Sequence, residues 1–173
     1  MSGKLKVGDR APGFRATAFG GEFGDGQSVA LSDWIGSTVV LYFYPKDDTP
    51  GCTVQACALR DAWNDFRGTA SIFGVSVDTG LSHLKFIAKY QLPFPLLSDG
   101  EKKIATAYGV WVEKSMYGKK YMGVERTTFV IDPDGLISAI FRKVKPDRHV
   151  QILMQALGEG EHRNKKSVAN HPN

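Results

Sequence analysis

Apolar residues fall along this chain in two patterns: short unbroken runs, and stripes spaced three or four residues apart. Val39 to Tyr44 is a continuous apolar and aromatic run rich in β-branched residues, bounded by Ser37 and Pro45, and it predicts a strand buried on both faces. Ser71 to Val77 predicts another. Thr127 to Ile131 and Leu136 to Phe141 flank Asp132-Pro133-Asp134-Gly135, where proline and glycine supply turn geometry, so these two strands should pair antiparallel. Leu59, Ala62, Trp63 and Phe66 form the stripe of a helix lying on a sheet, and Leu81, Leu84, Ile87 and Ala88 predict a second. A shorter helix is expected from Lys102 to Tyr108, and a last one from Pro146 through Val150, Leu153 and Leu157, with Gly158 as its stop. The opening segment up to Gly36 is glycine-rich and reads as strand and loop.

This order of elements predicts an α/β domain, a central mixed β-sheet flanked by helices with an N-terminal strand and loop extension, because parallel neighbours require helical crossovers. It suits a thioredoxin-like fold. One domain is expected over residues 1–158. Residues 159–173 are polar and charged without periodicity, so they cannot bury enough surface to offset ordering entropy and are expected to form a disordered tail.

Composition narrows the function. The chain has 173 residues, 23% of them charged, and no run near the roughly 18 apolar residues that cross a bilayer. No secretory pattern follows the lysines at Lys4 and Lys6, so a cytoplasmic location is expected. Much of the formal charge of +4 sits in His162 to Lys166, which reads as a solvated tail, and nucleic-acid binding is not expected. Two cysteines are too few for a disulfide scaffold, which leaves packing or chemistry. Zinc would need four suitably spaced ligands, whereas His83, His149, His162 and His171 are scattered.

The chemistry concentrates in Pro45 to Cys57, where a buried strand gives way to a helix. Thr49 can serve as N-cap and Pro50 as first helical residue, which places Cys52 in the first turn among unpaired backbone N–H groups. Those donors and the positive end of the helix dipole favour a thiolate. A thiolate that breaks an O–O bond also needs donors preplaced for the leaving oxygen. Thr49 and the backbone amides can supply some, and Arg126, at the edge of a predicted strand, offers a permanently charged fork. Pro45 and Pro50 would shape the pocket. Asp47 and Asp48 are expected to face solvent or pair with Lys46. Trp34, Phe43 and Trp111 could line an apolar approach but read more simply as core.

Cys57 lies five residues beyond Cys52. An intact helix would hold their Cα atoms about 8 to 9 Å apart on different faces, beyond the roughly 7 Å that a disulfide spans. A bond between them therefore requires the helix to open. In the expected cycle Cys52 becomes a sulfenic acid, the first turns unwind, and Cys57 condenses with it.

The pattern Pro45-x-x-x-Thr49-x-x-Cys52 resembles the peroxiredoxin active-site signature, and Thr49-Pro50-Gly51-Cys52-Thr53-x-x-x-Cys57 resembles the bacterioferritin comigratory, or Q-type, subgroup. The likeness extends through Gly8 to Phe14, Phe94 to Asp99, Tyr108 to Trp111 and Glu125 to Asp132, about residues 5 to 157 in all. It implies a thioredoxin-like fold, a peroxidatic Cys52 and an intramolecular resolving Cys57. It also implies that Thr49, Gly51 and Arg126 hold a hydroperoxide substrate, that thioredoxin or a similar dithiol is the reductant, that the chain is a monomer, and that no cofactor or metal is used. The alternatives are a disulfide oxidoreductase, whose cysteines normally stand as Cys-x-x-Cys, and a non-enzymatic redox sensor. Deleting residues 159–173 should leave peroxide turnover unchanged, and a reductant-coupled peroxidase assay of the truncated chain checks this.

Overall fold

The structure, a computed structural model, describes residues 4–158. The predicted tail lies outside the described residues.

Strand β3 (Val39–Phe43) is the centre of the molecule. It runs parallel to β4 (Ser71–Ser76), which is parallel to β5 (Leu96–Ser98), and it pairs antiparallel with β8 (Thr127–Ile131). Strands β1 (Arg15–Phe19) and β2 (Gln27–Ala30) extend the β5 edge, and β9 (Ile137–Phe141) closes the other. The sheet order is β2-β1-β5-β4-β3-β8-β9. Side chains of β3 point alternately to the two faces, and each face has its own core. Val39, Leu41 and Phe43 pack into one, Val40, Tyr42 and Tyr44 into the other, which is why the run carries no polar position.

Helix α1 (Pro50–Asp61) and the short α2 (Trp63–Phe66) connect β3 to β4, and α3 (Gly80–Tyr90) connects β4 to β5. Helix α4 (Lys103–Ala107) is capped by Asp99, whose carboxylate accepts from the Ile104 and Ala105 amides. The Pro146–Arg148 turn leads into a last helix, residues 149–158. Gly158 is still helical, so its proposed role as a stop falls at the limit of the described residues. Among these residues no helix is long and apolar enough to cross a membrane.

Two helical expectations need correction. The stripe from Leu59 to Phe66 is not one helix: Ala62, at φ −97° and ψ 7°, breaks it while keeping Leu59 and Phe66 inside. In α3 the buried face centres on His83 and Phe86, whereas Leu81 is 64% exposed. A histidine counted as polar faces inward because it has a buried partner, described below. The sequence pattern also passed over the hairpin β6 (Trp111–Met116) and β7 (Lys119–Val124), a separate two-stranded sheet whose faces are largely exposed and mixed in polarity. Trp34 and Phe43 are core residues, Trp34 packing edge-on against Phe73 and Phe43 against Phe129.

Tyr42 crosses β4 at Gly74, and a Cβ there would lie 2.8 Å from the Tyr42 ring and 2.7 Å from Leu96. Gly74→Ala should therefore lower stability by about 1 to 3 kcal/mol through overpacking, measured as a lower urea midpoint.

Candidate active site

The chain leaves the sheet at Tyr44, whose amide makes a last bond to the Val75 carbonyl before Pro45, with no N–H, ends the strand. After a short loop, α1 begins at Pro50, with Thr53 donating to the Thr49 carbonyl. Helix geometry leaves the Gly51 and Cys52 amides without intrahelical acceptors. Cys52 is 3% exposed, in the first turn, as its position after Thr-Pro-Gly implied. Thr49 occupies the N-cap position, but its hydroxyl does not cap. It donates instead to the Lys46 carbonyl at 2.8 Å, which leaves oxygen lone pairs to accept rather than a proton to give.

Arg126 immediately precedes β8, and its carbonyl accepts from the Val144 amide. The guanidinium reaches across to α1, where Nη2 donates to Cys52 Sγ at 3.4 Å and Nη1 donates to Gln55 Oε1. Cys52 and Gln55 are three apart, so one helix face presents both to the same fork. This approach depends on Gly51: a Cβ there would sit 3.1 Å from Arg126 Nη2 and 3.3 Å from the Pro146 ring. Gly51 is a space requirement as much as a donor.

Asp47 does not face solvent. It is 6% exposed, accepts from the Tyr44 hydroxyl at 2.5 Å and the Ser82 hydroxyl at 2.8 Å, and lies 2.7 Å from His83 Nδ1. Its own amide donates to Asp78, and His83 Nε2 meets the Leu97 carbonyl. The ligand atoms of Asp47, Asp78 and His83 lie within 4.8 Å of one another, as in a metal cluster, but these internal bonds already engage them. The group acts as a brace that fixes the loop before Cys52 onto α3. Asp48 pairs with Lys89 and the Tyr90 hydroxyl, not with Lys46. Asp48 is exposed, as expected; Asp47 was expected to face solvent or pair with Lys46 because charge rarely enters a core unpaired, and its partner His83 was thirty-six residues away.

Among the described residues, three buried side-chain polar atoms have no hydrogen-bond partner: the Tyr42 hydroxyl, Gln55 Nε2 and His149 Nδ1. Gln55 bonds Arg126, burial holds the Tyr42 hydroxyl well above its ordinary value, and the His149 ring lies 5.1 Å from that of Tyr42. Burial, and then the Arg126 charge, push His149 down to about 3, and its Nε2 meets the Thr128 hydroxyl at 3.0 Å. Lys114, half-buried on β6, is pushed below its ordinary value by burial and by Arg126. Pattern reading missed Gln55, His149 and Lys114. Only Gln55 carried a signal, its helical spacing from Cys52.

Cys57 is half-buried further along α1, and both thiols are free. Five residues of continuous helix turn the two side chains about 140° apart around its axis.

A buried first-turn thiol under a guanidinium, on a thioredoxin-like sheet, defines a class of thiol proteins. Residues 7–140 match the AhpC/TSA family. The chain is 46% identical to peroxiredoxin Bcp of Bacillus subtilis, over 88% of its length and 95% of that protein, and 41% identical to peroxiredoxin Bcp of Escherichia coli K12, over 90% and 97%. Among solved structures it resembles Xanthomonas campestris bacterioferritin comigratory protein, studied for alkyl peroxide reduction, with TM-score 0.77 and 36% identity over 85% of this chain and 91% of that one. A Xylella fastidiosa PrxQ cysteine-to-serine variant gives TM-score 0.82 and 31% identity over 92% and 99%. The chain belongs to the AhpC/TSA family, in its Bcp, or Q-type, peroxiredoxin branch.

His149 generates a pH prediction. Its folded value of about 3 lies below its ordinary 6.5, so between these values the unfolded chain binds a proton that the folded chain does not. The stability from the neutral ring is complete above pH 6.5 and is lost as pH falls toward 3, by up to about 1.4 kcal/mol per pH unit. Urea titrations across this range should show a shallower decline for His149→Gln.

Proposed function

We propose that this chain is a thiol-dependent peroxidase that reduces hydrogen peroxide and alkyl hydroperoxides, with Cys52 peroxidatic and Cys57 resolving. The observation that carries the reading is the 3.4 Å contact between Arg126 and Cys52 at a helix N-terminus, with a second cysteine on the same helix. The Cys52 thiolate attacks the terminal oxygen of the peroxide. The S–O bond forms as the O–O bond breaks, and the other oxygen leaves as alkoxide, taking up a proton to become an alcohol. Arg126, held by Gln55, meets the charge on the departing oxygen with a donor already in place. The Thr49 hydroxyl, its proton directed to Lys46, accepts from the peroxide O–H and orients it. Gly51 leaves room for the guanidinium, and Pro45 ends the strand so that the loop can turn into the site.

Resolution follows within the same chain. The first turns of α1 open, the Cys57 thiolate attacks the Cys52 sulfenic sulfur, an S–S bond replaces the S–O bond, and hydroxide leaves as water once protonated. Thioredoxin or a similar dithiol then returns two electrons by exchange. We take the chain to act as a monomer, as its resemblance to the Q-type subgroup implies, and a cytoplasmic location suits a cycle that depends on a reducing dithiol pool.

The test is reductant-coupled turnover with hydrogen peroxide and an organic hydroperoxide, combined with mass analysis after one equivalent of oxidant. Cys52→Ser should abolish turnover, and Cys57→Ser should trap a sulfenic acid where the wild type forms an internal disulfide. Arg126→Met should slow oxidation by about 10²- to 10³-fold. Full thioredoxin-coupled turnover by Cys57→Ser would remove the resolving role. Failure of the wild type with every peroxide would favour a redox sensor.

A further inference from the structure

Tyr90, the last residue of α3, touches both flanks of the cysteine segment. On one side its hydroxyl donates to Asp48 Oδ1 at 2.8 Å, four residues before Cys52, and Lys89 reinforces this by donating to Asp48 Oδ2 at 2.8 Å. Asp48 has φ +55°, a left-handed conformation that aspartate tolerates and that turns the loop toward α1. On the other side the Tyr90 carbonyl accepts from Arg60 Nη1 at 2.8 Å, three residues after Cys57. That carbonyl belongs to the last turn of α3, where helix geometry leaves it without an intrahelical donor, so Arg60 satisfies it and meets the negative end of the helix. Arg60 is also oriented by Asp61 through Nε at 3.0 Å.

We propose that Arg60 and Tyr90 are positioning residues for disulfide closure, clamping both ends of the cysteine segment so that unwinding is confined to the residues between Asp48 and Arg60. The inference rests on Cys57 as the resolving cysteine. A helix of twelve residues that begins to open at its first turn has no internal stop. Opening lengthens the chain from about 1.5 to about 3.3 Å per residue, and between fixed ends the excess must loop outward, which brings the two sulfurs onto one short flexible arc. Without the Arg60 anchor the opening runs on to the break at Ala62, Cys57 explores a larger volume, and its effective concentration at Cys52 falls. The contact with Arg126 and Gln55 is untouched, so the attack on peroxide does not depend on the clamp.

The experiment follows one oxidation by rapid quench and mass analysis, timing sulfenic acid formation and disulfide closure separately in wild type, Arg60→Met, Arg60→Lys and Tyr90→Phe. Arg60→Met and Tyr90→Phe should form the sulfenic acid within about twofold of the wild-type rate but close the disulfide about three- to tenfold more slowly. Arg60→Lys, which can still donate to the Tyr90 carbonyl, should recover most of the rate. Hydrogen exchange of the disulfide form should show lost protection stopping before Arg60 in wild type and extending to Ala62 in Arg60→Met. Closure at or above the wild-type rate in both Arg60→Met and Tyr90→Phe overturns the clamp. So does an equal loss in both steps, which would mark general support of the fold. Absence of an internal disulfide in the wild type would overturn the resolving role of Cys57 and the clamp with it, and it is recognised before any variant is made.

Discussion

A sulfur and a guanidinium 3.4 Å apart, from residues 74 positions apart in the chain, set the constraint that organises this molecule. The sulfur must sit in the first turn of a helix, and the cation must arrive from the edge of an antiparallel strand two sheet positions from β4. Pairing β8 directly against β3 brings Arg126 to the end of the strand that feeds α1. Gly51 removes the one side-chain atom that would block the approach, and Gln55 holds the fork in plane. Cys52 is buried and Arg126 half-buried, which strengthens an interaction that solvent would screen more fully at the surface.

The same constraint explains where the molecule places its costly polar groups. Asp47, His83, Asp99, Thr127, Thr128 and His149 are buried, and hydrogen bonds hold each of them to a strand end, a helix start or the active-site loop. The Asp47 brace is the clearest case, because it consumes four neighbours to hold a loop of a few residues. In the proposed cycle this loop would keep its shape while the next helix opens. Helix α1 buries Cys52, Gln55, Ala56 and Leu59, while the polar ties at its flanks are exposed or half-buried.

The sheet and both cores form the frame, α1 is the element that the proposed disulfide would require to open, and α3 meets the segments on both sides of it. Its N-terminal half holds the Asp47 brace, and its last turn meets Asp48 and Arg60. A helix read from its apolar stripe as simple cover for the sheet proves to be the support of the site.

Local chemistry was legible without coordinates. The strand run at Val39 to Tyr44, the turn at Asp132 to Gly135, the helix start at Thr49-Pro50 and the first-turn position of Cys52 all follow from propensities and periods that act within a few residues, and so does the helical separation of Cys52 from Cys57. Arg126 was legible as a candidate because its charge is permanent, though its distance from the sulfur was not. Tertiary structure alone decided the inward turn of Asp47, the burial of His83 and His149, the reversed role of the Thr49 hydroxyl, the partial burial of Lys114 and the tie between Arg60 and Tyr90. Apart from the Thr49 hydroxyl, whose acceptor is the Lys46 carbonyl three residues away, each of these depends on a partner supplied by a distant segment. The free energy of a buried polar group is set by that partner, which no local pattern in the chain encodes.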